Sequence, residues 1–178
     1  MGDSHPIDWQ ALASELSSLQ FRADGSRSEF GSRALALAAV ERLVGAERLA
    51  SAVDHYIAGR PGSELARSIL WLLHPWACML RCREVFDSSE DLHARRSAVE
   101  LLRVVADARA LPWVDDFLAD PDPQIQSWGI LVIDQLLMGD LADREACEPF
   151  LARARLHPNE QVRAAVTRIE QLDSPAQE

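Results

Sequence analysis

The 178-residue sequence contains no lysine, and all 18 of its basic residues are arginine. That usage is read as the imprint of a GC-rich, bacterial genome rather than as guanidinium chemistry. Cysteine is scarce. Three thiols, an odd number with no Cys-x-x-Cys knuckle, point to reduced cysteines in a cytoplasm and away from a zinc ribbon. His74, Cys78 and Cys82 are spaced by four, but Pro75 breaks any helix between the imidazole and the thiols, so no metal is expected. Long apolar runs are missing too. The longest, Ser68 to Leu80, is interrupted by His74 and Pro75 and is expected to be buried inside the protein, not in a membrane. The opening MGDSHPIDWQ has neither a basic n-region nor an apolar h-region, which argues against secretion. Valine, isoleucine and threonine are few and no window alternates, so strands are not expected. There is no glycine-rich phosphate loop and no Ser or Cys in a nucleophile elbow, which leaves no catalytic set and no cofactor.

What is present is acid and apolar periodicity. Hydrophobic residues at 48% exclude wholesale disorder. Twenty-eight acids against 18 arginines give a formal charge of −10, and the excess is one-sided. Residues 1–83 balance at nine arginines and nine acids, whereas residues 84–178 carry nine arginines and 19 acids. Such a field repels nucleic acid and attracts basic surfaces. Solubility alone is an equally good account of it.

The periodicity repeats. From Ile125, apolar or small residues recur at Gly129, Ile130, Val132 and Ile133. The same spacing starts at Ala94 (Ala98, Val99, Leu101, Leu102), Leu65 (Ile69, Leu70, Leu72, Leu73) and Phe30 (Ala34, Leu35, Leu37, Ala38), and more loosely at Val162 (Val166, Ile169). A second amphipathic segment precedes each of these. Those segments are 6–20 with Trp9, Leu12, Leu16 and Leu19; 46–58 with Leu49, Val53 and Ile57; 75–86 with Met79, Cys82 and Phe86; 111–119 with Leu111, Val114 and Leu118; and 143–156 with Cys147, Phe150, Leu151 and Leu156. Turn signals such as GRPGS, DPDP and HPNE separate them. At DPDP, Asp120 and Asp122 are N-cap candidates, and Pro121 and Pro123 suit a first helical turn.

The corner DPDPQIQ and the stretch HPNEQVRAAV resemble HEAT repeats, antiparallel helix pairs joined by an Asp-Pro turn. The resemblance extends over nearly the whole chain and is weak before residue 60. It implies an all-α fold, a right-handed α-solenoid of about five helix pairs in a single domain (about 6–43, 46–73, 75–106, 111–138 and 143–172), with a short polar tail from about 173. It also implies protein partners and no catalytic residues. In such repeats the second helix of each pair lines the concave surface.

A helix advances about 100° per residue, so positions two, six and nine after each starting residue lie opposite the core face. They supply Arg67, Trp71 and His74; Arg96, Glu100 and Arg103; and Leu131 and Asp134, the last two alongside Ser127. Trp71 and Leu131 have no use on a solvated face and fit a protein interface. Packing of Trp71 on Trp76 or on the neighbouring repeat is the competing account. Arg96 and Arg103 could clamp an acidic group, or form an ion-pair ladder with Glu100 along their own helix. Asp115 and Asp116 read as solvated surface.

The expectation is a non-enzymatic protein-binding module, with a protein partner that is basic in the acidic-surface version. One alternative is an immunity or antitoxin-type protein that neutralises a basic toxin. A further one follows from resemblance to the HEAT-like alkylpurine DNA glycosylases, whose Trp, Asp and Arg groove Trp71, Asp134 and Arg103 imitate loosely; the acidic second half opposes it.

Overall fold

The computed structural model describes residues 6–173; the Met-Gly start and the tail from 174 lie outside them. The described chain is all-α apart from one short hairpin. The α-helices are α1 (Trp9–Glu15), α2 (Arg33–Val44), α3 (Ala46–Ile57), α4 (Ser63–Leu73), α5 (Trp76–Ser88), α6 (Leu92–Val105), α7 (Val114–Ala119), α8 (Pro123–Met138), α9 (Arg144–Arg155) and α10 (Glu160–Asp173). A 3₁₀ segment, Ala108–Trp113, leads into α7, and β1 (Leu19–Phe21) and β2 (Arg27–Glu29) lie between α1 and α2. No helix among the described residues is long and apolar enough to cross a membrane. The chain divides into two compact units, the first ending at Ala46 and the second beginning at Glu47.

In the first unit the expected helix over 6–20 stops early. Ser17 takes a left-handed backbone (φ 61°), and the Ser18 amide donates to the Ala13 carbonyl at 2.9 Å, which closes α1. The chain then pairs antiparallel, Leu19 with Glu29 and Phe21 with Arg27, across a turn where Gly25 holds φ 81°. The Asp24 carboxylate accepts the Ser26 amide at 2.9 Å and fixes that turn. The sequence predicts no strand here, because three-residue strands are too short to alternate visibly. Phe30, taken as the start of a helix, precedes α2, whose N-cap is Ser32. Leu12 is the one buried apolar residue of the unit's described part; Trp9, Phe21 and Phe30 are exposed, and α2 buries nothing fully.

The second unit holds the core. Within it α5 packs on α6, α7 on α8 and α9 on α10, while α4 meets α6, α6 meets α8 and α8 meets α10. Helix α8 is central for reasons legible in its residues. Asp122 caps it by accepting the Gln124 and Ile125 amides at 3.1 and 3.0 Å, and Pro123 needs no partner for a missing N–H. Ile125, Ile130, Val132, Ile133 and Leu136 are wholly buried. Each such side chain contributes about 1.5–3 kcal/mol against the entropy of ordering it. Gly129 lets α8 approach α7, since a Cβ there would overlap the Phe117 side chain. The corner after α9 is built around His157, whose Nε2–H donates to the Leu118 carbonyl at 2.9 Å while Nδ1 accepts the Asn159 amide at 3.1 Å.

Two expectations of burial fail. Leu65, Ile69 and Leu72, assigned to the core face of α4, are 68, 44 and 56% exposed; of that set Leu70 is fully buried. The run Ser68 to Leu80 is therefore half surface. Leu156 ends α9 as its C-cap and is exposed, beyond the last turn that packs. Cys78, Cys82 and Cys147 are buried and form no disulfide. Burial pushes the Cys82 thiol well up, which keeps it inert.

Candidate functional site

Helices α4 and α6 bring together four of the eight residues picked out from the sequence. Arg67 and Trp71 lie one turn apart on α4, and Glu100 and Arg103 one turn apart on α6. Glu100 is 15% exposed and forms ion pairs on both sides: Arg67 Nη2 stands 3.5 Å from its Oε1, and Arg103 Nη2 donates to the same oxygen at 3.2 Å. Its other oxygen accepts the Tyr56 hydroxyl of α3. Burial and that hydrogen bond push the Tyr56 phenol well above its ordinary range, so it stays a donor.

Beside this cluster opens a hollow of about 370 Å³, lined by Arg67, Ser68, Trp71, Arg103, Val104 and Gln135 of α8. Trp71 remains 53% exposed at its wall. Inside the guanidinium pair one feature is unsatisfied: the Nε atoms of both Arg67 and Arg103 are shut from water and have no acceptor. A buried donor left unmade costs about 1–3 kcal/mol, so the cluster is held at an energetic disadvantage that a suitable acceptor would relieve.

The other four residues are placed elsewhere. Arg96 faces Asp122, donating from Nε and Nη2 at 3.1 and 2.6 Å, and this pair holds the Asp122 carboxyl below its ordinary range. It is not one arm of a clamp with Arg103. Of the proposed ladder along α6, the Glu100–Arg103 half forms and the Arg96 half does not. His74 ends α4 in a left-handed conformation (φ 46°), and its Nδ1–H donates to the Val105 carbonyl, a brace between the ends of α4 and α6. Leu131 is half-buried, and Asp134 accepts from Arg168 of α10 at 3.3 Å. Trp71 does not stack on Trp76, which pairs instead with Trp113 at 5.4 Å between ring centres.

The aspartates of the corner are structural. Arg95 pairs with Asp120, as Arg96 does with Asp122. Asp115 and Asp116 pair with Arg153 and Arg83, each at 2.7 Å, so they tie helices together instead of standing free. Among the described residues no group of three or more His, Cys, Asp or Glu side chains could hold a metal ion.

Tyr56, Ser68, Val104 and Gln135 were missed. Val104 and Gln135 each fall ten residues after the first core position of their helix (Ala94 and Ile125), one past the last position taken from the helical wheel. Tyr56 sits on the helix preceding α4, and only the packing could connect it to Glu100. No family model, no curated protein and no solved structure matches the chain.

Proposed function

We propose that this chain is a non-enzymatic protein-binding module, a short HEAT-like α-solenoid that grips a partner on the face made by α4, α6 and α8. The pairings α5–α6, α7–α8 and α9–α10, and the row α4–α6–α8–α10, support a stack of three such pairs with α4 extending its row. The observation that carries the functional reading is the half-exposed Trp71 beside the converging Arg67 and Arg103. Tryptophan and arginine are the residue types that anchor protein interfaces, and a solvated helix face gains nothing from an open indole.

The test is site-specific photo-crosslinking in the native host. A benzophenone side chain at position 71 is expected to yield a discrete protein adduct, and one at the exposed Leu156 is not. Loss of the adduct on Arg103→Ala should follow. Equal adducts at both positions would sink the reading.

The acidic excess of residues 84–178 favours a second, narrower reading, in which the partner is a basic toxin neutralised in the cytoplasm. Co-expression with such a toxin would restore growth.

A further inference from the structure

We infer that the hollow between α4, α6 and α8 is a carboxylate-binding pocket, and that it takes the acidic side chain of a partner polypeptide between the Arg67 and Arg103 guanidiniums against the Trp71 indole. This rests on the protein-binding reading above and names the chemistry of its anchor.

The unsatisfied donors at the site select the ligand. Two guanidiniums share one carboxylate, Glu100, and that carboxylate is already engaged by Tyr56. Arg67 also donates from Nη1 to Glu64 at 3.5 Å, the same distance at which its Nη2 stands from Glu100, and the Glu64 carboxylate is largely exposed. What the cluster lacks is an acceptor on the Nε edge of each guanidinium, where both N–H groups are orphaned. A planar carboxylate accepts two parallel N–H bonds from the Nε edge of a guanidinium. Arg67 and Arg103 are partly exposed, so a turn about their terminal torsions carries that edge from its screened position into the hollow. The same face shows why the pair does not satisfy itself. Arg96, two turns earlier on α6, is consumed by Asp122, whereas nothing comparable is offered to Arg103.

The walls decide between anions. Trp71 and Val104 are apolar surfaces on which a methylene stem can lie, and Ser68 and Gln135 supply neutral polar rims. A nucleic-acid strand brings one phosphate after another into a chain of net charge −10, which opposes it. A single carboxylate on an otherwise neutral or basic polypeptide meets no such penalty. It also reconciles an acidic protein with an arginine pocket: the acidic surface would draw in a basic partner, and the pocket would fix its register through one Glu or Asp.

The experiment is an NMR titration of the full chain, following the arginine Nε–Hε resonances, with a blocked peptide carrying one central Glu in an Ala/Leu context and its Gln counterpart. The Arg67 and Arg103 resonances, assigned with Arg67→Gln and Arg103→Gln, should move downfield with the Glu peptide. The Gln peptide should bind at least about tenfold more weakly, as expected for loss of a charge-assisted pair. Glu100→Gln, which removes the internal competitor and keeps an acceptor for Tyr56, should strengthen Glu-peptide binding. Unmoved resonances at millimolar peptide, equal binding of the Gln peptide, or weaker binding by Glu100→Gln would overturn the inference. So would stronger shifts from a single-stranded oligonucleotide, or saturation by acetate with nothing gained from the peptide. If the resonances stay still while position 71 still crosslinks a partner, the carboxylate chemistry is wrong and the binding face stands. If they move while position 71 crosslinks nothing, the pocket stands and the protein-partner reading falls.

Discussion

The two units of this chain are built on opposite terms. The second closes a continuous core around α6 and α8, with Leu101, Leu102, Ile130, Ile133 and Leu136 fully buried. The first is held by local devices such as a capped seven-residue helix, a three-rung hairpin and the ion pair Arg42–Glu15 at 2.8 Å. Surface ion pairs of that kind contribute about 0–1 kcal/mol, far less than the burial of a single core side chain. Both units draw on similar residue types. What differs is whether an apolar side chain meets another across an element, and that decides where the stability resides.

The largest test of this contrast is to remove one phenyl ring from each unit. Phe117 is wholly buried and meets Phe86 edge-on, with ring centres 4.9 Å apart. Phe117→Ala is expected to cost about 3–5 kcal/mol in denaturant unfolding, and Phe21→Ala no more than about 0.5 kcal/mol. Equal effects would mean that the first unit is as well anchored as the second.

A smaller change probes how tightly the second unit is packed. Gly129→Ala gains helix propensity, worth at most about 1 kcal/mol, yet drives a methyl group into Phe117. Overpacking of that kind should win, for a net loss of about 1–3 kcal/mol in Tm-derived stability. A stabilised variant would show that α7 and α8 can separate freely.

The smallest expected effect is at the corner. Asp122→Ala removes the cap of α8 and the partner of Arg96, and should cost about 1–2 kcal/mol at neutral pH. The folded carboxyl lies below its unfolded value of about 3.9. Its contribution is therefore complete above that value and lost as pH falls through the folded one. Unfolding curves of variant and parent should accordingly begin to converge as pH falls past about 4 and meet below the folded carboxyl's own titration, while a gap that persists in stronger acid would assign the effect to something other than charge.

These contrasts follow what could be read from the chain beforehand. The corner Asp120–Pro123 and the helix after it were legible because capping and proline chemistry are local, and because Ile125, Ile130 and Ile133 share one face whatever surrounds them. The hairpin was illegible because Leu19–Phe21 and Arg27–Glu29 are too short to show a period of two. The exposure of Leu65, Ile69 and Leu72 was illegible for another reason: periodicity tells which residues share a face, and never what covers it. The same limit governed the site. Arg67, Trp71, Glu100 and Arg103 could each be placed on a face, but the meeting of two arginines over one glutamate depends on the register of α4 against α6. The pairing of Arg96 with Asp122 was illegible because Asp122 caps a different helix.

One further structural detail gives the molecule an optical property. Trp76 and Trp113 stack with their planes 24° apart, Arg109 lies 4.3 Å over the first ring and Arg83 5.7 Å over the second. Two indoles held so close couple their electronic transitions into an exciton pair, whose split circular-dichroism signal vanishes once the rings part. The seam between α5 and the 3₁₀ segment thus carries its own spectroscopic ruler, set by the guanidiniums that sandwich it.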